Sequence, residues 1–341
     1  MARTSPTSDA HFPPPARGAD QELDRVEDAI RRMDPDGQAF GRVLRDTYDW
    51  LYDGQRTGRY KWTDLRKTEK THMGSLVEIE LQREFDEFMD GESLDYRIAG
   101  VDVDCKFSQQ LRGWEIPNNI RRDRQICLLV WANEDECRWE AGLVRAGSDD
   151  DAWFYTPSKG NQDGKRRLSA EGESSVRWLW PGGVLATNQL LHLAPAARQA
   201  ILSGGTAGRA SGQSRVNELF RRIQGEPVKR TTIETVARQK DPMKRARDAR
   251  LHQHLGQEGI LVLCGDWVAH RAAAETLLLP PLGDSEFLAV RVVPADGRGE
   301  PGSPPSAVIG GASWRLATDD DPVVAVPPLP PTLSTGLAAG G

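Results

Sequence analysis

The stretch "SLDYRIAGVDVDCKFS" (Ser93–Ser108) decides how this chain is read. Apolar and polar residues alternate on both sides of Ala99-Gly100, the pattern of a β-hairpin with a two-residue turn. With that turn, Ile98 faces Val101, Arg97 faces Asp102, Tyr96 faces Val103 and Asp95 faces Asp104. Alternation then places Asp102, Asp104 and Lys106 on one face with Asp95 and Arg97, while Val103 and Cys105 point into a core.

Arg97 and Asp102 read as an ordinary cross-strand ion pair. Asp95 opposite Asp104 does not, because two carboxylates facing across a ladder repel. A divalent cation between them turns repulsion into a binding site, and hard oxygen ligands favour Mg²⁺. Lys106 shares that face and is placed to stabilise negative charge developing on a reacting phosphate.

A helix is expected upstream, over about Gly74 to Met89. Val77, Leu81, Phe85 and Phe88 form its apolar stripe, and Glu80, Glu84 and Glu87 fall on the solvated side. Glu78 stacks with Leu81 and Phe85 at the stripe's edge. Turned inward, its carboxylate serves a metal or its water; the plain alternative is a helix-edge ion pair with a neighbouring Arg or Lys. Downstream, "QICLLVWA" (Gln125–Ala132) is short and continuously apolar, a strand buried on both faces, with "RWEAGLVRA" as its neighbour. A helix ending near Trp178 is expected to close this half. An acid, a hairpin, Asp-x-Lys and a buried strand together resemble the PD-(D/E)xK nuclease fold, although Leu94 stands where that motif has proline.

The chain has 341 residues and a net charge of −6, enough for two domains and no blanket of positive charge. Its four cysteines are scattered without a Cys-x-x-Cys pair, which points to free thiols in a reducing compartment, the cytoplasm. No apolar run is long enough to span a membrane. The reading along the chain is a disordered leader (1–20), a catalytic domain (21–179), a linker at "WPGGVLATN" (180–188), a second domain (189–326) and a loose Pro/Gly-rich tail (327–341). Helices are expected over Gln21 to Met33 and Gln38 to Tyr52. In the second domain they are expected over Arg215 to Gln224, Thr231 to Gln239 and Pro242 to His254. The last of these carries Lys244, Arg245, Arg247 and Arg250, a local basic face suited to phosphate contacts; a solvated basic helix is the plain alternative.

"LYDGQR" (Leu51–Arg56) is one residue away from the Lys-x-Asp-Gly of DNA ligases. Leu51 stands where the lysine takes up AMP, and leucine has no nucleophile. Asp53 and Gly54 are kept, but the motif cannot form an AMP–enzyme bond, and a core contact beside Leu44 and Tyr48 is the expected role of Leu51.

Several stretches resemble the NaeI family of type II restriction endonucleases: "DPDGQAFGRVLRDTYDWLYDGQRTGRYKW", "KTEKTHMGSLVEIELQREF", "YRIAGVDVDCKFS", "RVNELFRRI" and "VRVVPADG". The similarity runs from about Leu23 to Val326, with gaps near Ala146 to Gly164 and Arg250 to Gln257. The resemblance implies a mixed α/β chain. Its N-terminal endonuclease domain would have a mixed sheet flanked by helices, and its topoisomerase-like C-terminal domain would hold a winged helix-turn-helix like that of the catabolite activator protein. It assigns catalysis to Glu78, Asp95, Asp104 and Lys106, with Mg²⁺ as cofactor. It also implies a homodimer acting on double-stranded DNA at GCCGGC, with a second DNA copy bound as activating effector. A DNA-binding regulator with a degenerate nuclease domain is the alternative, and it predicts damage among those four residues.

Overall fold

The computed structural model describes residues 17–147, 154–157, 164–205, 210–295 and 304–331. Most of the expected leader, the tail beyond 331 and part of the segment 146–164 lie outside the described residues. The chain divides into two compact units: Met1–Leu51 with Trp62–Thr187, and Tyr52–Lys61 with Asn188–Gly341.

The first unit begins with α1 (Gln21–Met33) and α2 (Gln38–Tyr52), at the expected bounds. Asp20 caps α1 by accepting a hydrogen bond from the Leu23 amide. A short α3 (Gly54–Thr57) belongs to the second unit. Helix α4 spans Lys67–Glu84, earlier than expected at both ends. The Glu69 carboxylate reaches back to the Arg66 amide and fixes the start; Phe85 is already extended, so Phe85 and Phe88 are buried beyond the helix.

A six-stranded sheet follows, in the order β1-β2-β3-β5-β6-β9. Its strands are β1 (Met89–Asp90), β2 (Tyr96–Ile98), β3 (Val101–Ser108), β5 (Ile126–Asn133), β6 (Arg138–Arg145) and β9 (Arg177–Val184). The β2–β3 register is the expected one: Tyr96 with Val103, Arg97 with Asp102, Ile98 with Val101. Ala99 (φ 49°) and Gly100 (φ 80°) both take left-handed conformations, as the tight turn requires. Only β3 and β5 pair in parallel, joined by a crossover holding β4 (Glu115–Ile116) and α5 (Asn118–Arg122). β5 is buried along nearly its whole length between β3 and β6.

Cys127, Leu129 and Trp131 pack with Trp114, Ile116, Phe154 and Leu168, part of which comes from a small sheet ordered β4-β8-β7, with β7 (Phe154–Tyr155) and β8 (Arg166–Leu168). On the other face Tyr48 of α2 meets Phe107 edge-on and donates to the Ala132 carbonyl.

After a short α6 (Ala170–Glu173), the helix expected to end near Trp178 is instead the edge strand β9. The proline and glycines read as a linker lie inside it. An edge strand tolerates Pro181, and irregular pairing with β6 accommodates the glycines; a side chain at Gly183 would meet Trp139 at 2.5 Å.

The second unit holds α7 (Gln189–His192), α8 (Pro195–Ser203), α9 (Gly212–Arg222), β10 (Pro227–Val228), α10 (Arg230–Ala237), α11 (Pro242–Ala249), β11 (Ile260–Cys264), α12 (Val268–Thr276), β12 (Phe287–Pro294), β13 (Ser306–Ile309) and β14 (Ala312–Leu316). α10 ends at left-handed Arg238, and Asp241 caps α11 by accepting from the Lys244 amide. α11 therefore stops short of the expected His254. β12 pairs antiparallel with β10, β11 and β14. Val216, Phe220, Ile233, Val236, Ala246 and Val262 pack into one core, and Leu263, Leu288 and Trp314 into another. The segment expected to be loose from residue 327 starts out packed: Leu329 is buried in this second core.

Candidate active site

The hairpin turn and the β3 register bring the charged residues together. Lys106 Nζ lies 2.7 Å from Asp104 Oδ2 and 3.8 Å from Asp95 Oδ2, and donates to the Cys105 carbonyl at 2.8 Å. Asp95 sits just before β2, where its Oδ2 accepts the Cys105 amide at 2.7 Å. That bond turns Asp95 toward β3 instead of solvent. Asp104 is buried, and burial holds its carboxyl above the usual range, with Lys106 pulling the other way. Burial alone would lower the Lys106 ammonium, but Asp104 and then Asp95 raise it overall, so it stays charged.

Glu78 faces the same group from α4. Burial, then the charge of Asp95, pushes its carboxyl up to about 7, while Lys106 opposes the shift. The site thus gathers three carboxylates around one ammonium, a donor set short of positive charge. Asp102, on the same strand face as Asp104, adds a buried Oδ1 that no hydrogen bond satisfies. The expected ion pair of Arg97 with Asp102 is replaced: Arg97 pairs with exposed Glu92 in the preceding loop, and Asp102 accepts from Ser93 at 3.3 Å.

Among the described residues no three His, Cys, Asp or Glu side chains form a metal-holding group. Mg²⁺ does not need one: it keeps several waters and takes one or two carboxylates plus substrate phosphate. The all-oxygen donors, the orphaned Asp102 Oδ1 and the excess negative charge fit such an ion.

Two contacts escaped the sequence reading. Cys127 Sγ lies 3.8 Å from Asp104 Oδ2, and the Tyr96 hydroxyl donates to the Glu78 carbonyl at 2.9 Å. The first depends on the parallel register that sets Asp104 beside Cys127, which a long crossover hides. The second joins a strand to a helix, and no spacing rule reports it.

In the second unit α11 presents Lys244 and Arg247 to solvent, with side-chain exposures of 53% and 45%. Arg245 is half-buried, and both it and Lys244 lie near Asp248. Arg250 departs from this set. Its guanidinium stacks 4.0 Å over the Trp267 ring, with Nε and Nη1 buried and unbonded.

Leu51 is buried with Leu44 and Tyr48. Asp53 is left-handed (φ 46°) and pairs with Arg56. A Cβ at Gly54 would lie 2.0 Å from Thr235 Oγ1 of α10. Asp53 and Gly54 thus shape a turn and a close helix approach, which explains the ligase-like letters without nucleotide chemistry.

The chain matches the family model described as "Restriction endonuclease NaeI" over residues 24–325. It is 45% identical over 314 residues to "Type II restriction enzyme NaeI" of Lentzea aerocolonigenes, covering 91% of this chain and 95% of that protein. That likeness shows a type II restriction enzyme, a site-specific deoxyribonuclease whose substrate is DNA. Within that class the chain belongs to the NaeI family of restriction endonucleases. No helix among the described residues is long and apolar enough to cross a membrane.

Proposed function

We propose that the enzyme cuts both strands of DNA at a GC-rich palindrome, GCCGGC, in a Mg²⁺-dependent reaction carried by Glu78, Asp95, Asp104 and Lys106. The observation that carries this reading is the Lys106 ammonium held between Asp104 and Asp95, with Glu78 facing them. Asp95 and Asp104, with support from Glu78, would hold Mg²⁺, which when bound supplies Lewis-acid polarisation of the phosphate. Lys106 stabilises negative charge growing on the scissile phosphate, and Glu78 orients the attacking water. In this reading the first unit is a PD-(D/E)xK nuclease domain.

The second unit is read as a winged helix-turn-helix domain. The succession α9, β10, α10, α11, β11 and β12 supports this, with β10 and β11 both paired to β12. Lys244, Arg245 and Arg247 then meet phosphates beside the groove. One hydrolytic site per chain and two strands to cut call for a homodimer on a palindrome. A second DNA copy acts as effector. Four free cysteines suit work in the cytoplasm.

The test is digestion of plasmids with and without GCCGGC, in Mg²⁺ and in EDTA. Mg²⁺-dependent fragments ending at GCCGGC, with cutting stimulated by a site-bearing oligonucleotide, support the reading. Fragments ending elsewhere discard the target. Intact DNA binding with no cutting overturns it in favour of a regulator with a degenerate nuclease domain.

A further inference from the structure

Glu78 and Asp95 come from different elements and carry like charge, so something other than their own side chains must keep them together. Tyr96 directly follows Asp95 and opens β2, and its ring is buried against Phe88. Its hydroxyl donates at 2.9 Å to the backbone carbonyl of Glu78, and the Cys105 thiol stands beside it. This bond ties the helical turn bearing Glu78 to the start of β2, directly after Asp95. We propose that Tyr96 is a positioning residue of the nuclease site, fixing the Glu78 turn of α4 against β2 through its hydroxyl. The inference rests on Glu78 acting in the site, as read above.

Elsewhere in the same unit the Tyr48 hydroxyl donates to the Ala132 carbonyl at 2.9 Å, also fully buried and also joining a helix to a strand. Tyr48→Phe therefore removes an equivalent bond and serves as the structural control. The experiment compares full-length Tyr96→Phe, Tyr48→Phe and Glu78→Gln, and the double variant Tyr96→Phe/Glu78→Gln. Three quantities are read for each: single-turnover cleavage across Mg²⁺ concentrations, DNA affinity in EDTA, and thermal unfolding.

Tyr96→Phe is expected to slow cleavage, or raise the Mg²⁺ requirement, by about tenfold or more, as loss of an outer-shell partner does. Its DNA affinity should stay unchanged and its Tm should fall about as far as that of Tyr48→Phe, which should keep the wild-type rate. The double variant should be no slower than Glu78→Gln. Wild-type cleavage and Mg²⁺ dependence in Tyr96→Phe, equal slowing in Tyr48→Phe, or a further loss in the double variant would overturn the proposal. Wild-type cleavage by Glu78→Gln would instead remove the site assignment on which it rests. An inactive Glu78→Gln beside an unaffected Tyr96→Phe would leave that assignment standing and remove only the positioning role.

Discussion

Lys106 and Asp104, two residues apart on β3, form an ion pair of 2.7 Å, with Asp104 almost fully buried. Burial pushes the Asp104 carboxyl up and the Lys106 ammonium down, and each partner opposes that shift in the other.

Removing the ammonium should therefore harm chemistry more than binding. Lys106→Ala is expected to lower single-turnover cleavage by about 100- to 1000-fold, the usual effect of losing one charge-stabilising donor. Its DNA affinity in EDTA should change little. Gel shift and quench-flow on the same preparation check both.

Gly54→Ala tests the packing account of the ligase-like motif. A methyl group 2.0 Å from Thr235 Oγ1 must push α3 off α10. Overpacking of this kind costs about 1–3 kcal/mol, so thermal unfolding should shift to lower temperature. An unchanged transition would contradict the close approach.

His270 should give the second unit a stability that depends on pH. Nδ1 accepts the Cys264 amide at 3.0 Å, so the proton sits on Nε2, which donates to the Leu329 carbonyl at 3.0 Å. Burial holds its pKa down at about 4, against 6.5 for the free side chain. The unfolded chain binds the proton first. Stability is thus full above pH 6.5 and falls between 6.5 and 4, by up to about 3 kcal/mol. Chemical denaturation across that window should show the slope, and His270→Gln should flatten it.

The cations of α11 should separate by exposure. Lys244→Ala and Arg247→Ala should weaken binding to DNA of any sequence and each lower the salt dependence by about one counterion. Arg250→Ala, which loses its stack on Trp267, should lower thermal stability with a smaller effect on that slope. Affinity measured over a salt series distinguishes the two behaviours.

Much of the first unit was legible because local rules govern it. The Ala99-Gly100 turn set the β2–β3 register, and that register placed Asp104 and Lys106 on one face. The apolar run in β5 announced its burial on both sides. The rest depended on distant partners. Pro181 and its glycines read as a linker, because only the neighbouring strand reveals an irregular edge. Arg97 was paired with Asp102 by register, yet a loop residue offered a more solvated partner in Glu92. Arg250 looked like another outward cation of α11 until Trp267, beyond the next strand, was placed beneath it.

The most direct test of the site is the Asp104→Asn enzyme on DNA carrying GCCGGC. It keeps the side chain's shape and removes the charge that faces Lys106 and would hold the metal. Asp104→Asn should bind that DNA intact in EDTA and show no measurable cleavage at any Mg²⁺ concentration. Cleavage near the wild-type rate would contradict the site assignment and move the chemistry away from these residues.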